Sequence, residues 1–501
     1  MDLSHVTSNL NTKLIEPYQP DGVRWMLKRE TEHLTLFDER MPFGGIIADE
    51  VGLGKTILSI ATMLGNYKKK TLIILPKSLI CQWASQIELF TSKLKVHVLR
   101  KSSDKINPID SNDNFAHVYI VSQSLLNLRN SVVGSSLIHN IHWDRVFIDE
   151  AHMLRNSKSK LYEACSLIKT DIRWALTATP VMNRMSDFIN IMAWIGVSKF
   201  LCQGEKDAIT RNFLLRRTKD DVLAENKQMS NCIVQVKYIP FMSFDEADFY
   251  MRIFNQERKM LLTSSNNKTT DLLEHLLRVR QLCIHPQLYL DGMSRKKGES
   301  FGDWTKETTK MKALISCLQE QPSDDKTLIF CQFVREMDIY ESRLKELGIH
   351  SVRLDGTMKL TDREKAIHSF NNDPNTTVFI IQINTGGQGI NLQIANRIYI
   401  MSPNWNPAVE YQAIGRSHRT GQKKTVYVTK FCINSGDDAL PFIEENILKL
   451  QDKKKEIISN ILNDTRIIHD GVQHNKIMCD QAGGITAAEI RALFNIHQQK
   501  N

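Results

Sequence analysis

The chain has 501 residues, of which 42% are hydrophobic and 24% are charged. This composition is typical of globular proteins and excludes a collagen, a coiled coil and a largely disordered chain, while the length predicts two to four domains. The 65 lysines and arginines exceed the 56 aspartates and glutamates, which gives a net charge of +9. A positive surplus suits a partner rich in phosphate but does not identify one.

The nine cysteines are scattered along the chain, and no two of them form a Cys-x-x-Cys pair. This spacing argues against a zinc finger, a RING insert and a disulfide framework, and it is typical of thiols in a reducing compartment. Residues 1–14 lack the apolar segment of a signal peptide, and no run reaches the ~18 apolar residues of a membrane helix. We therefore expect an intracellular, soluble protein with no zinc and no membrane contact.

In chain order, short apolar runs rich in β-branched residues alternate with helical segments. The runs of the first half are residues 71–76, 118–122, 146–149 and 173–176. The runs of the second half are residues 327–330, 351–354, 378–381, 397–401 and 426–431. Continuous apolar strands separated by helices indicate parallel sheets that are covered on both faces. Two such series predict an α/β protein with two α/β domains.

The stretch between the two series has a different pattern. Residues 244–263 and 271–283 have the character of helices, and polar loops at 264–270 and 294–300 interrupt them. We interpret this stretch as a helical insertion followed by a linker. Near the C-terminus, residues 444–462 carry apolar residues at helical spacing and predict an amphipathic helix.

These patterns divide the chain into four predicted parts. They are a first α/β domain at residues 1–225, the insertion and linker at 226–309, a second α/β domain at 310–440 and a C-terminal helical extension at 441–501.

The strongest local pattern is Asp49-Glu-Val-Gly-Leu-Gly-Lys-Thr56, which follows a short apolar run and precedes a helical segment. A strand, a glycine-rich loop, Lys-Thr and a helix make up a phosphate-binding loop. Backbone N–H groups at the glycines would face phosphate oxygens, Lys55 would meet the β- and γ-phosphates, and Thr56 would ligate Mg²⁺. The strict pattern has glycine where this chain has Asp49, and a plain glycine turn before a helix is the alternative. The expected nucleotide-binding residues are Asp49, Glu50, Val51, Gly52, Leu53, Gly54, Lys55 and Thr56.

Two adjacent carboxylates, Asp149 and Glu150, lie at the carboxyl end of the apolar run at residues 146–149. Ligands of α/β proteins bind at the carboxyl ends of strands, so Asp149 is the candidate for holding Mg²⁺ and Glu150 the candidate general base for the attacking water. The alternative is an ordinary helix N-terminus, where Asp and Glu are common. Together with Lys55 and Thr56, the pair predicts a nucleotide-hydrolysis site.

A third pattern, residues 412–422, lies in the second α/β series and reads Gln-Ala-Ile-Gly-Arg-Ser-His-Arg-Thr-Gly-Gln. Arg416 and Arg419 are three residues apart, so they would share a face if this segment is a helix. Phosphoryl transfer uses cationic groups on the γ-phosphate in the transition state, and arginine fingers supply them. A solvated basic helix is the alternative.

With these three patterns in this order, the sequence resembles the Swi/Snf-type DNA-dependent ATPases of helicase superfamily two. The resemblance runs from about residue 18 to about residue 450. Ala178 stands where the family usually has glycine in its Leu-Thr-Gly-Thr-Pro motif. Further segments that carry the resemblance are residues 18–25, 72–79, 176–180, 215–222, 285–286, 328–333, 353–357, 385–392 and 403–409.

The resemblance implies two RecA-like parallel-sheet lobes, with ATP and Mg²⁺ as cofactors and Gln19 reading the adenine. It assigns Lys55, Asp149, Glu150, Arg416 and Arg419 to catalysis. It assigns coupling of hydrolysis to motion to Thr177, Thr179, Gly389, Gln412 and Gln422. The candidate nucleic-acid contacts are Lys77, Ser78, Ser122, Gln123, Gln332, Asn384, Thr385 and Trp405.

The resemblance also implies duplex DNA as the partner of a monomeric motor, with chromatin or the transcription machinery as candidate targets and the nucleus as the location. Two alternatives remain open at this point. One is an RNA helicase of the same superfamily, since the phosphate loop and the paired carboxylates are shared. The other is a catalytically idle DNA-binding cofactor of transcription, against which the intact Lys55, Glu150 and Arg419 argue.

Overall fold

The computed structural model describes residues 2–101, 104, 106, 115–126, 136–181, 185–225, 230–263, 269–386, 390–436, 442–462 and 485–496. The chain divides into two compact units. The first comprises residues 1–229 with a short stretch that begins at 457, and the second comprises residues 230–456 with the C-terminal residues. Within the described residues, no helix is both long and apolar enough to cross a bilayer.

The first unit contains nine described strands and ten described α-helices. The strands are β1 Thr35–Leu36, β2 Glu39–Arg40, β3 Phe43–Ile47, β4 Lys70–Leu75, β5 Leu94–Leu99, β6 Ala116–Ser122, β7 Trp143–Asp149, β8 Thr170–Leu176 and β9 Leu214–Leu215. The helices are α1 Ser4–Ser8, α2 Tyr18–Thr31, α3 Lys55–Gly65, α4 Ile80–Phe90, α5 Gln123–Leu126, α6 Lys160–Ser166, α7 Met185–Ile195, α8 Lys199–Gly204, α9 Lys206–Phe213 and α10 Lys219–Glu225. Short 3₁₀ turns lie at Lys77–Leu79, Leu137–Asn140 and Ala151–Arg155.

Seven of these strands form one sheet in the order β5-β6-β4-β7-β8-β3-β9, and the pairings within it are parallel. Successive residues of β4 enter two different apolar clusters: Leu72 and Ile74 join one, Ile73 and Leu75 the other. Alternate side chains of a strand point to opposite faces. Both faces of the sheet are therefore buried, as the continuous apolar runs predict.

The second unit repeats this architecture with six described strands. They are β10 Cys232–Ile239, β11 Thr327–Cys331, β12 Ser351–Leu354, β13 Val378–Gln382, β14 Arg397–Ile400 and β15 Val426–Ile433. Its described helices are α11 Phe244–Thr263, α12 Thr269–Ile284, α13 Pro286–Lys297, α14 Thr309–Glu320, α15 Val334–Glu346, α16 Leu360–Asn372, α17 Ile383–Gly386, α18 Pro407–Ile414, α19 Ile443–Leu462 and α20 Ala487–Leu493. The sheet order is β10-β15-β14-β11-β13-β12, again parallel.

The fold class predicted from sequence, two parallel-sheet α/β lobes with additional helices, is confirmed. The helices α11, α12 and α13 pack in one apolar cluster with residues of α19 and α20. β10 lies within the stretch that the sequence assigned to the helical insertion, and it pairs with β15 along its whole length. The four predicted domain boundaries stay a prediction.

The polar loop expected at residues 294–300 is shorter than predicted. Helix α13 continues to Lys297 and ends at Gly298, whose φ of 71° is left-handed. Glycine adopts this conformation without strain and commonly ends helices. The last turn carries Arg295, Lys296 and Lys297, and positive side chains are favourable there because the carboxyl end of a helix is electronegative.

Candidate active site

The phosphate-loop pattern lies where the sequence predicts it, between strand β3 and helix α3. Gly52 and Gly54 have φ values of 97° and 92°, which are left-handed conformations that favour glycine. A Cβ at Gly54 would lie 2.7 Å from Nε2 of Gln19. β3 is an interior strand of the parallel sheet, so the loop leaves it at the carboxyl edge, where α/β proteins bind ligands.

Lys55 begins α3 and turns its ammonium group back into the loop. Its Nζ donates to the carbonyl of Asp49 at 2.7 Å and to that of Glu50 at 3.3 Å. Thr56 follows in the first turn of the helix and is half-buried. The amine and the hydroxyl therefore lie at one end of the loop, as a phosphate and a magnesium ligand would require.

Asp49, which departs from the strict glycine pattern, is fully buried and pairs with Arg217. The backbone N–H and the Nε of Arg217 each donate to Oδ1 of Asp49 at 3.0 Å, and Nη2 donates to Oδ2. The backbone N–H of Glu50 donates to the carbonyl of Arg217 at 3.0 Å. The Asp49 carboxylate thus anchors the loop to the segment after β9, and a direct part in nucleotide binding stays a prediction.

Gln19 is buried beside this loop near the start of α2. Its Nε2 donates to the carbonyl of Leu53 at 3.3 Å and to the hydroxyl of Tyr18 at 3.1 Å, while its Oε1 accepts from the N–H of Ile15 at 2.8 Å. Burial raises the pKa of Tyr18 to about 12. The side chain expected to read adenine therefore contacts the phosphate loop itself, and the adenine role stays a prediction.

Asp149 is the last residue of strand β7, and Glu150 directly follows it. Oδ2 of Asp149 accepts from Nε1 of Trp83 at 2.7 Å, and Oδ1 accepts from the N–H of Glu150 at 2.9 Å. Burial, and then the neighbouring Glu150, raise the pKa of Asp149 to about 6, while Lys55 opposes this shift. A bound divalent cation would favour the ionised carboxylate in the same way as Lys55 does.

Glu150 has a left-handed φ of 54°, a conformation that strains a non-glycine residue and is frequent at functional sites. Its Oε2 lies 3.2 Å from Nδ1 of His152. The backbone therefore turns sharply after Asp149. As a result, the carboxylate of Asp149 contacts Trp83, whereas that of Glu150 contacts His152.

Arg216 connects the loop to the predicted coupling motif. Its Nη1 donates to the carbonyl of Ala48 at 3.2 Å and to that of Ala178 at 3.4 Å. In the motif, Thr177 is buried and its Oγ1 accepts from the N–H of Thr179 at 3.1 Å.

Arg216 and Arg217 lie in the segment 215–222 that carries the family resemblance, but the sequence did not predict these contacts, nor the contact of Trp83 with Asp149. The local signal for the two arginines is weak, since they are only adjacent and directly follow a short apolar run. Gly389, also expected to act in coupling, lies outside the described residues.

In the second unit, the expected helix does not extend to the two arginines, so the idea that they share a helical face is wrong. Helix α18 ends at Ile414, and Arg416 and Arg419 lie in the turns that follow. Gly415 and Ser417 disfavour a helix interior. Arg416 is 6% exposed.

The turns after α18 are held by backbone bonds and by Gln422. The carbonyl of Arg416 accepts from the N–H of Leu392 at 3.0 Å. Nε2 of Gln422 donates to the carbonyls of Gln393 at 2.7 Å and Ala395 at 2.9 Å. Burial lowers the pKa of Arg419 from its ordinary value. Gln412 is half-buried within α18.

The candidate nucleic-acid residues each come at or after the carboxyl end of a parallel strand in their own unit. In the first unit they are Lys77, Ser78, Ser122 and Gln123, after β4 and β6; in the second they are Gln332, Asn384, Thr385 and Trp405, after β11, β13 and β14. Lys77, Ser78 and Asn384 are exposed, whereas Ser122 is buried with its Oγ 2.8 Å from that of Ser124. The ring of Trp405 is half-buried, with the guanidinium carbon of Arg280 4.8 Å from its centre. Their contacts with nucleic acid stay predictions.

Two known domain families match the chain, and together their matches cover parts of both units. The SNF2-related domain matches residues 18–205 and 202–288, and the helicase conserved C-terminal domain matches residues 309–421. An uncharacterized ATP-dependent helicase of Mycoplasma pneumoniae is 31% identical over 89% of this chain and 42% of its own length. A probable global transactivator of Orgyia pseudotsugata multicapsid polyhedrosis virus is 26% identical over 91% of this chain and 93% of its own length.

A human SWI/SNF-related matrix-associated actin-dependent regulator of chromatin, subfamily A member 1, is 28% identical over 92% of this chain and 45% of its own length. The chain therefore spans less than half the length of the Mycoplasma and human relatives. Among solved structures, a Sulfolobus solfataricus SWI2/SNF2 ATPase core in complex with dsDNA is 25% identical, with a TM-score of 0.40, and covers 92% of this chain and 95% of its own.

Proposed function

This chain belongs to the SNF2-related family of helicase-like ATPases, and we propose that it hydrolyses ATP upon binding duplex DNA and uses the energy to move along it. The observation that carries the proposal is the convergence of Lys55, Asp149 and Glu150 at the carboxyl edge of one parallel sheet. The motion would displace or remodel protein–DNA complexes and thereby affect transcription. The similarity to a human protein named as a regulator of chromatin and to a viral protein named as a probable global transactivator supports this target class.

The residues of the first unit fit ATP with Mg²⁺. The left-handed Gly52 and Gly54 turn the loop so that backbone N–H groups can face phosphate oxygens, and a Cβ at Gly54 would fill the space taken by Gln19. Lys55 would bind the β- and γ-phosphates. Thr56 and Asp149 would hold Mg²⁺, which supplies neutralisation of phosphate charge when bound.

Glu150 is proposed to orient and deprotonate the attacking water, with His152 3.2 Å away to fix the carboxylate. Arg416 and Arg419 are proposed to stabilise the charge that develops on the γ-phosphate. Thr177, Thr179, Gln412 and Gln422 are proposed to connect hydrolysis to motion.

Contacts with DNA are proposed to be mainly to phosphates, from the strand-end residues of both units. Such contacts position a protein without reading bases. Nuclear residence follows from the proposed target and is part of the same proposal.

The first test is ATP turnover by the purified chain without polymer and with duplex DNA, single-stranded DNA or RNA, each at two salt concentrations. We expect strong stimulation by duplex DNA. Stimulation by RNA alone would favour an RNA helicase, and ATP binding without turnover under every condition would favour a recruiting role.

The matched variant is Lys55→Ala, which should abolish turnover because it removes the ammonium group expected on the transferred phosphate. Lys13→Ala, a change of an exposed lysine outside the loop, serves as its control. Normal turnover in Lys55→Ala would contradict the site assignment.

A further inference from the structure

Helix α18 precedes the turns that carry Arg416 and Arg419, which we call the arginine turns. It is held in place by the buried carboxylate of its own residue Glu410. Glu410 is 1% exposed, and its Oε1 accepts from the backbone N–H of Asn404 at 2.7 Å and from Nε2 of Gln451 at 2.6 Å. Nζ of Lys430, on strand β15, lies 2.6 Å from Oε2. Gln451 also donates to the carbonyl of Asn404. One glutamine of α19 thus connects α18 to the loop before it.

Helix α19 also anchors the start of the loop before α18, through a second buried side chain, Glu444. Its Oε1 accepts from Nζ of Lys310 and from Oγ of Ser402, both at 2.7 Å, and its Oε2 accepts from the N–H of Ile433 at 2.8 Å. Lys310 also donates to the carbonyl of Met401 at 2.5 Å. Both charged side chains are fully buried.

Glu444 and Gln451 are seven residues apart, so they lie on the same face of α19, two turns from each other. Between them Ile447 packs in an apolar cluster. The helix therefore presents one polar group to each end of the segment 401–410. A third contact, from Nη2 of Arg280 to the carbonyl of Pro403 at 3.0 Å, holds the segment between Ser402 and Asn404.

We propose that Gln451 is a positioning residue for the arginine turns: through Glu410 it fixes the orientation of α18 and hence of the segment that carries Arg416. The physical reason is that Gln451 and Glu410 are both buried, so water cannot replace the hydrogen bond between them when it is lost. α18 runs only one turn beyond Glu410 before it ends at Ile414, which leaves little chain to absorb a tilt. The kinetic part of this inference rests on the proposed ATPase function.

The test variant is Gln451→Met, which conserves length and approximate volume but removes the amide. We expect unchanged affinity for a fluorescent ATP analogue, because the proposed ground-state contacts come from residues of the first unit. We expect the DNA-stimulated kcat to fall about ten- to a hundredfold, as small misplacements of catalytic groups do. Asp452→Asn, an exposed neighbour that pairs with Lys455 on its own helix, is the matched control and should retain full kcat.

A double-variant cycle separates positioning through Glu410 from a merely structural role of Gln451. Glu410→Gln removes the carboxylate that Gln451 contacts and should itself lower kcat. If Gln451 acts through Glu410, adding Gln451→Met to Glu410→Gln should lower kcat much less than Gln451→Met does in the unmodified chain. Losses that simply multiply in the double variant would contradict positioning through Glu410.

A readout independent of activity keeps this inference separate from the proposed function. Hydrogen exchange of the amides of residues 402–419 should quicken in Gln451→Met and remain unchanged in Asp452→Asn. Unchanged hydrogen exchange in Gln451→Met overturns the inference. The inference is also overturned when the unmodified chain is active and Gln451→Met retains its full kcat. Accelerated exchange in a chain without DNA-stimulated turnover would support the positioning contact and contradict the proposed function instead.

Discussion

At the scale of single residues, the substitution of aspartate for glycine at the start of the phosphate loop has a structural explanation. Asp49 is buried, and an unpaired carboxylate there would be costly. Arg217 supplies three donors to it and also donates to the carbonyl of Tyr18. One arginine therefore fixes the loop and the start of α2, which carries Gln19.

This pair predicts a large loss of stability in Arg217→Ala. The variant leaves the Asp49 carboxylate buried without its cationic partner, which typically costs about 3–5 kcal/mol. Urea unfolding measures the change, and Arg24→Ala, which breaks the exposed pair with Asp21, should cost under about 1 kcal/mol. A double variant with Asp49→Asn should recover part of the loss. Equal stability of Arg217→Ala and Arg24→Ala would be inconsistent with a paired buried charge.

Arg416→Ala tests the arginine-finger role. ATP affinity should stay close to that of the unmodified chain, because lobe-one residues make the proposed ground-state contacts. The kcat should fall by about a thousandfold or more, as arginine fingers contribute. Equilibrium binding of an ATP analogue and single-turnover hydrolysis separate the two quantities. A loss of affinity as large as the loss of rate would show that Arg416 binds the ground state.

Individual residues could be predicted from sequence only where a local pattern identifies them. Lys55 and Thr56 stand out because loop, lysine and threonine are contiguous, and Asp149 and Glu150 because they end an apolar run. Arg217 could not be assigned in this way, since its partner Asp49 is 168 positions away. Nothing local indicates that contact, which depends on β9 pairing with β3.

At the scale of elements, helix α15 begins with a buried acid. Oε2 of Glu336 accepts from the N–H groups of Gln332 at 2.8 Å and Phe333 at 3.1 Å, which caps the helix. Burial raises the pKa of Glu336 to about 7, although these bonds and Lys310 oppose the shift. The helix start is therefore sensitive to pH in the neutral range.

Glu336→Gln should reduce the pH dependence of stability. The folded-state pKa lies above the ordinary value of 4.5, so the stabilising contribution is fully present below about 4.5 and is lost as the pH rises through about 7. Between pH 5 and pH 8 the unmodified chain should lose roughly 2–3 kcal/mol from this group. Urea unfolding at both pH values should reveal a smaller loss in Glu336→Gln. Glu346→Gln, an exposed change at the end of this helix, is the control. An equal loss of stability between pH 5 and pH 8 in Glu336→Gln and Glu346→Gln would contradict the prediction.

Elements with strong periodicity were predictable, whereas two of the edge strands were not. The helix expected at residues 244–263 has those bounds in the structure. Strands β5 and β10, by contrast, lie at sheet edges. β10 exposes Ile233, Val234 and Tyr238 by half or more. Because β10 is incompletely buried, its sequence lacks the continuous apolar run that indicates an interior parallel strand.

At the scale of the whole molecule, the net charge of +9 and the proposed phosphate contacts predict binding to duplex DNA that depends on salt and tolerates different sequences. With about six contacts, affinity should fall roughly 10³-fold between 50 and 200 mM salt. Fluorescence anisotropy on two duplexes of unrelated sequence tests this. Affinity that is insensitive to salt, or that differs strongly between the duplexes, would argue for base readout instead.

The order of strands in the first unit also has a consequence for how the chain is made. β3, which carries the phosphate loop, pairs with β8 and β9 rather than with strands close to it in sequence. At a synthesis rate of roughly 5–20 residues per second, its partner β8 follows on the order of ten seconds later. During this interval Phe43–Ile47 has no strand to pair with, and pairings between distant segments form slowly. The phosphate loop of the proposed ATP site is consequently among the last parts of its lobe to reach its final pairing on the ribosome, although it precedes most strands of the sheet in sequence.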